Sequence, residues 1–206
     1  MQHDSGAAVF EARDLAGERG GRLVFAGVSF CLARGEALVL LGANGAGKTS
    51  LLRVLAGLGR VADGTLAWEG ENVREDPLAH AARVALLGHL DALKPQLTVF
   101  ETLHHEAHLR GGSAEAAIAA VGLEPLAEAP VRILSAGQRR RLALARLVLG
   151  DRPLWLLDEP TVALDAAGVA TLGRLVATHR ARGGIVVASS HLDLPIADAR
   201  TLRLAA

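Results

Sequence analysis

An α/β fold built on a mostly parallel sheet is predicted by three features of this 206-residue sequence. Short apolar runs alternate with helical patterns: Ala37–Leu41, Val84–Leu87 and residues 154–157, 185–188 and 202–204 read as strands, whereas the segments from Ser50 and over residues 166–179 read as helices. That alternation means parallel strands with helices packed on their faces. The first of these strands runs into Gly42-Ala43-Asn44-Gly45-Ala46-Gly47-Lys48-Thr49, which fits G-x-x-x-x-G-K-[ST] at every required position,. The third feature is a helical block over residues 89–149, inserted into a single domain whose α/β core is residues 1–88 and 150–206.

Along the chain, residues 7–33 read as an N-terminal antiparallel subdomain of short strands, broken by the turn cluster Ala16-Gly17-Glu18-Arg19-Gly20-Gly21,. Arg34-Gly35-Glu36 turns the chain into the strand Ala37–Leu41. After the glycine-rich loop, Leu51, Leu52, Leu55 and Leu58 recur at helical spacing, and the helix is expected to stop near Gly57 or Gly59,. A strand spans the stretch from Gly64 to Gly70, with Trp68 packing on a hairpin. The helical block breaks at Gly111-Gly112 and over residues 125–130. Trp155 belongs to the core.

Composition narrows the partners. Lys and Arg number 22 against 22 Asp and Glu, so no electrostatic grip on nucleic acid is expected,. The single cysteine, Cys31, excludes an internal disulfide, and free cysteines are usually buried, so an unreactive strand residue is expected there,. No apolar run approaches the roughly 20 residues of a spanning helix. Met1-Gln2-His3-Asp4-Ser5 lacks the charged-then-apolar pattern of a signal peptide, which predicts a cytosolic chain,.

The glycine-rich loop is a nucleotide site. A strand feeding such a turn and then a helix N-terminus gathers backbone N–H groups around a polyphosphate. Gly42, Ala43, Asn44, Gly45, Ala46, Gly47 and Ser50 would cradle it, Lys48 would reach the β and γ phosphates, and the Thr49 hydroxyl would ligate Mg²⁺,. The strand at 154–157 ends in Asp158-Glu159, expected to point to opposite sides by strand alternation,. Asp158 would then hold the Mg²⁺ shell while Glu159 faces the attacking water. Leu134-Ser135-Ala136-Gly137-Gln138 opens a helix that continues through Arg139-Arg140-Arg141 to Leu149, with Ser135 as its N-cap,.

With that pentapeptide the sequence resembles the ATP-binding cassette (ABC) ATPases, whose signature motif it matches; Asp165 resembles their D-loop residue and His191 their switch histidine. The resemblance implies two copies pairing head to tail around two ATP molecules, so that Lys48 and Thr49 of one face Ser135, Gly137 and Gln138 of the other. It further implies Glu159 as the general base or water-orienting carboxylate and His191 on the γ-phosphate. A helix N-terminus at Ser135 agrees, since it presents free N–H groups and a positive dipole end.

Two positions depart from that family. Where it usually has a glutamine near Mg²⁺ and the attacking water, this chain has His89. Imidazole is a poor Mg²⁺ ligand, so His89 is expected to act through water, and turnover to vary more with pH than with glutamine. Where the family stacks adenine on an aromatic, Arg19 stands, and the chain has no Tyr. With Leu87-Gly88-His89, Ala145-Arg146-Leu147, Gly183-Gly184-Ile185-Val186-Val187 and the short length, these departures most resemble the ATP-binding subunits of the haem exporter of bacterial cytochrome c biogenesis. Integral membrane partners and a peripheral place on the cytoplasmic face of the inner membrane are what this implies. A soluble single-cassette ATPase serving assembly or remodelling, as in iron–sulfur cluster assembly, carries the same motifs and stays open. His104-His105-Glu106-Ala107-His108 does not have zinc-protease spacing and is expected to be a solvated helix face or a partner contact,.

An Arg guanidinium stacks on any base, so equilibrium binding of ATP and GTP should agree within about tenfold, roughly 1.4 kcal/mol. A strong ATP preference would contradict that role for Arg19, and a pH–rate profile unchanged by His89→Gln would contradict the one given to His89.

Overall fold

The computed structural model describes residues 8–191 and 194–204; residues 1–5, read above for a targeting signal, lie outside them. Strands β1 (Phe10–Arg19), β2 (Arg22–Leu32), β4 (Arg60–Trp68) and β5 (Glu71–Asn72) form an antiparallel sheet in the order β2-β1-β4-β5. Strands β3 (Ala37–Leu41), β6 (Val84–Leu87), β7 (Leu154–Asp158), β8 (Ile185–Ser189) and β9 (Arg200–Arg203) form a second sheet in the order β6-β7-β8-β3-β9. Every pairing in the second sheet is parallel.

Side-chain alternation in that sheet divides the interior in two. Leu38, Leu40, Leu154, Leu156, Ile185 and Val187 join one apolar cluster, shared with helix α1 (Lys48–Leu55) and the antiparallel sheet. Their neighbours Ala37, Trp155, Leu157, Val186 and Ala188 face the other cluster. That one includes residues of helices α3 (Val99–Arg110), α4 (Ala114–Val121), α5 (Ala136–Ala145) and α6 (Ala166–Ala181). Burial on both faces explains why these strands read as unbroken apolar runs.

Several boundaries differ from expectation. The cluster at residues 16–19 belongs to β1, and only Gly20-Gly21 turns. Strand pairing on both sides holds β1, and the Phe25 ring lies over Gly17 where a Cβ would stand 2.4 Å from it. Strand β4 begins at Arg60 and absorbs Gly64, where the ladder with β1 is irregular and the Arg13 carbonyl approaches closely. Residues 89–98 are not helical; α3 starts only at Val99, where Thr98 and Glu101 form a reciprocal capping box,. The helix from Ser135 ends at Ala145, and a 3₁₀ turn, Arg146–Val148, follows. Helix α2 (Pro77–Arg83) was not foreseen, although Asp76 caps it by accepting the Ala79 amide at 2.9 Å and Pro77 occupies its first turn,. Cys31 lies in a strand but is exposed, since its neighbours Phe30 and Leu32 take the core face of β2.

Trp155 is buried as expected and stacks on His179 with ring centroids 4.0 Å apart and planes 10° from parallel. Trp68 packs on Phe10 in the core between the sheets, centroids 5.8 Å apart. Burial, helped by the Arg182 charge, pulls the His179 pKa from the ordinary 6.5 down to about 4,. The folded chain therefore refuses a proton that the unfolded chain accepts, and this contribution to stability, complete above pH 6.5, is lost as pH falls toward 4,. His179→Phe keeps an aromatic on Trp155 and removes the titration. Its urea midpoint should fall less than the parent's between pH 6.5 and 4.5; equal slopes would show that His179 does not contribute.

Candidate functional site: the carboxyl edge of the parallel sheet

In a parallel sheet all carboxyl ends lie along one edge, where open α/β sheets place their ligands. The register is close here: Leu87 pairs with Leu157, Leu157 with Ala188, Asp158 with Ser189, and Ser189 with Leu40. Four connections therefore leave from one level. After β3 comes the glycine-rich loop, after β6 the Gly88-His89 segment, after β7 Glu159, and after β8 Ser190-His191.

The loop curls tightly over the start of α1. Gly47 caps that helix with φ +90°, and a Cβ there would stand 2.7 Å from the Val24 carbonyl, so both conformation and space require glycine,. Lys48 is buried, and its ammonium donates to the Gly42 and Ala43 carbonyls at 2.7 and 3.3 Å. It also stands 4.0 Å from Glu159 Oε1. No side chain caps α1, so its first amides face the space enclosed by the loop,.

Thr49 Oγ1 donates to Asp158 Oδ2 at 2.8 Å, joining the loop to the end of β7 across the intervening strand β8. Ser189 Oγ donates to the other carboxylate oxygen, Oδ1, at 2.6 Å. The pair Thr49–Asp158 offers hard oxygen donors only, the chemistry Mg²⁺ takes when one carboxylate and substrate phosphates complete its shell. Among the described residues no group of three or more His, Cys, Asp or Glu could hold a metal by itself.

The alternation expected of Asp158 and Glu159 does not hold: their carboxylates reach consecutive residues, Thr49 and Lys48. Strand β7 stops at Asp158, and Glu159 has φ +47°, a left-handed conformation uncommon for a residue with a side chain,. Its amide donates to Ser189 Oγ at 3.1 Å and to the Ser189 carbonyl at 3.2 Å. Its carboxylate faces Lys48 through Oε1, while Oε2 lies 2.9 Å from His191 Nδ1. The His191 side chain is 53% exposed, so this pair opens on solvent.

The other predicted residues lie farther out. Ser135 caps α5: it accepts the Gln138 amide at 3.2 Å, while Gln138 Oε1 accepts the Ser135 amide at 2.8 Å. Leu134 is buried beneath the cap, Ser135 and Ala136 are exposed, and Gly137 sits under the Ala163 carbonyl, 3.0 Å from where a Cβ would be. Asp165 caps α6 by accepting the Gly168 amide at 2.8 Å, and it pairs with Arg141 at 2.9 Å. His89 is exposed in the connection after β6, and Arg19 is exposed at the hairpin end of β1. Within one chain, the hydrogen bonds of the Ser135 cap stay in its own helix end and do not reach the loop.

Two polar residues escaped the sequence reading. Ser189 is fully buried between Asp158 and the Glu159 amide; the only signal was an apolar strand ending on two serines. Arg140 is buried in the middle of an arginine run whose neighbours stay accessible, and nothing in the run distinguishes it. In the helical block, Glu106 turns inward to pair with Arg110 and Arg146. His104, His105 and His108 are exposed, and His104 stacks on Phe100.

The model of the family described as ABC transporter matches residues 25–162. A protein of Paramagnetospirillum magneticum named cytochrome c biogenesis ATP-binding export protein CcmA is 54% identical, covering 96% of this chain and 94% of its own. The protein of the same name in Rhodospirillum rubrum is 52% identical, covering 96% of this chain and 86% of its own. A solved ATP-binding subunit of an ABC transporter is similar with a TM-score of 0.79 and 26% identity, covering 89% of this chain and 80% of the other. A putative ABC transporter ATP-binding protein from Pyrococcus furiosus, at 23% identity, shares the fold with a TM-score of 0.82, over 95% of this chain and 96% of its own. With the family model matching residues 25–162 and relatives more than 50% identical along nearly the whole chain, the chain belongs to the ABC transporter family, as an ATP-hydrolysing member.

Proposed function

We propose that the chain is the ATP-hydrolysing subunit of the haem exporter of cytochrome c biogenesis, bound peripherally to integral membrane subunits on the cytoplasmic face of the bacterial inner membrane. The observation that carries this reading is identity above 50% along nearly the whole chain to proteins named as cytochrome c biogenesis ATP-binding export proteins. No helix among the described residues is long and apolar enough to cross a membrane, so the membrane-spanning part falls to partner subunits.

In this reading the polyphosphate of ATP lies over the N-terminus of α1, in the backbone amides of residues 42–50. Lys48 exchanges its two loop carbonyls for phosphate oxygens, a move of its flexible ammonium alone. Thr49 and Asp158, 2.8 Å apart, would hold Mg²⁺, which would supply positive charge to offset that of the phosphates,. Glu159 orients the attacking water and accepts its proton, and His191, 2.9 Å from that carboxylate, carries the adjacent contact to the γ-phosphate,. His89 acts on the same water network from the neighbouring connection, and Arg19 stacks on the base. The exposed amino end of α5, with Ser135, Ala136, Gly137 and Gln138, closes over the γ-phosphate of a second copy, and Asp165 lies beside that junction,. Two copies facing head to tail thus complete two sites, and closure on ATP supplies the stroke.

Lys48→Ala should weaken ATP binding at least tenfold, as expected for a lost charge on phosphate. Glu159→Gln should leave binding within about threefold yet lower hydrolysis by two orders of magnitude or more, the range of a general base. Hydrolysis by Glu159→Gln at the parental rate would refute its assignment. The Glu159→Gln chain, affinity-purified from detergent-solubilised native membranes with Mg-ATP, should carry integral membrane proteins of cytochrome c biogenesis. Recovery solely from the soluble fraction, or with an unrelated permease, would overturn the exporter reading and leave the ATPase standing.

A further inference from the structure

Arg140 is the most heavily engaged buried cation in the described structure, and nothing in the mechanism above uses it. It lies on α5, two residues after Gln138, with a side chain only 3% exposed. Its guanidinium spans two of the connections that leave the sheet edge. On one side Nη2 donates to the carbonyls of Asp158 and Glu159 at 2.9 and 2.8 Å, and Nε reaches the Pro160 carbonyl at 3.4 Å. On the other side Nη1 donates to the Gly88 carbonyl at 3.0 Å and to Asp91 Oδ1 at 2.9 Å. The five acceptors fall on both flanks of a planar fork, a geometry Lys cannot reproduce.

These contacts bear on Glu159 in a specific way. Its left-handed backbone, φ +47°, is a conformation that persists only when its surroundings over-determine it,. Ser189 fixes the amide side of that residue and Arg140 fixes the carbonyl side, so the two together set the direction of the carboxylate. The same guanidinium holds both ends of the segment that carries His89, Gly88 before it and Asp91 after it. It does so from the helix whose amino end is the Ser135 cap.

We infer that Arg140 is a positioning residue for hydrolysis, locking the Glu159 turn, the His89 segment and the signature helix into one rigid unit, so that Glu159 is aimed only while all three are in place. This rests on Glu159 being the water-orienting carboxylate. Arg140 makes no contact with the phosphate loop and meets the site only through the backbone carbonyls of Asp158 and Glu159, so its loss should appear in turnover and not in ATP affinity. Asp91, 25% exposed, is the softer end of the clamp.

The test uses the full chain in the complex it forms in native membranes, comparing Arg140→Lys, Arg140→Gln and Asp91→Asn with the parent. Binding is read with a fluorescent ATP analogue and turnover by phosphate release, both well below each variant's melting temperature. Arg140→Lys, which keeps the charge beside Asp91 and loses the fork, should lower kcat at least tenfold with the dissociation constant for the analogue within twofold. Asp91→Asn, which keeps an acceptor, should retain at least a third of kcat and so hold the assignment where the Arg140 variants fold poorly. A kcat for Arg140→Lys within twofold of the parent would overturn the inference. So would a parallel fall of kcat and affinity, or an Asp91→Asn protein as impaired as Arg140→Gln. The Glu159 assignment fails independently, if Glu159→Gln hydrolyses ATP at the parental rate.

Discussion

The hydrogen bond from Ser189 Oγ to Asp158 Oδ1, 2.6 Å long, ties together the last residues of two paired parallel strands, and the carboxyl edge of the sheet is built outward from it. It leaves the other carboxylate oxygen for Thr49, which brings the phosphate loop into place. The same hydroxyl accepts the Glu159 amide, so the turn that aims Glu159 starts from a fixed point. Parallel register makes this possible, because β3, β7 and β8 end level and their connections emerge as neighbours.

That arrangement concentrates charge where water is scarce. Lys48, Asp158 and Arg140 are each buried, and a buried ion is tolerated only when its hydrogen-bonding capacity is filled,. Lys48 has two carbonyls and a carboxylate near it, Asp158 has two hydroxyls, and Arg140 has four carbonyls and Asp91. Leaving one such group unpaired costs about 1–3 kcal/mol or more, a large fraction of a domain's net stability of about 5–15 kcal/mol. The buried polar groups at this edge are therefore held in fixed orientations by the fold itself.

The sheet was legible because buried parallel strands are apolar along their whole length, as in Val84–Leu87 and Ala37–Leu41,. The phosphate loop was legible because Gly47 must adopt φ +90° beside a backbone carbonyl, which leaves a glycine signature in the chain. Other features depend on long-range contacts that local pattern does not carry. Ala16-Gly17-Glu18-Arg19 has turn composition, yet two flanking strands and the Phe25 ring hold it extended. Asp158 and Glu159 were expected to alternate across a strand, yet β7 stops at Asp158 and a left-handed turn leaves both carboxylates near consecutive residues of the loop. Arg140 was hidden among three arginines because only the fold decides which one points inward.

The single chain presents loop, carboxylates and His191 on one edge and the Ser135 cap elsewhere, so the proposed function requires a second copy to complete the site. Sedimentation of the Glu159→Gln protein with and without Mg-ATP tests it most directly. The mass should double with Mg-ATP, return to that of one chain when the nucleotide is removed, and fail to double when Ser135→Arg is added. A single-chain mass at saturating Mg-ATP, or a dimer indifferent to Ser135→Arg, would contradict it.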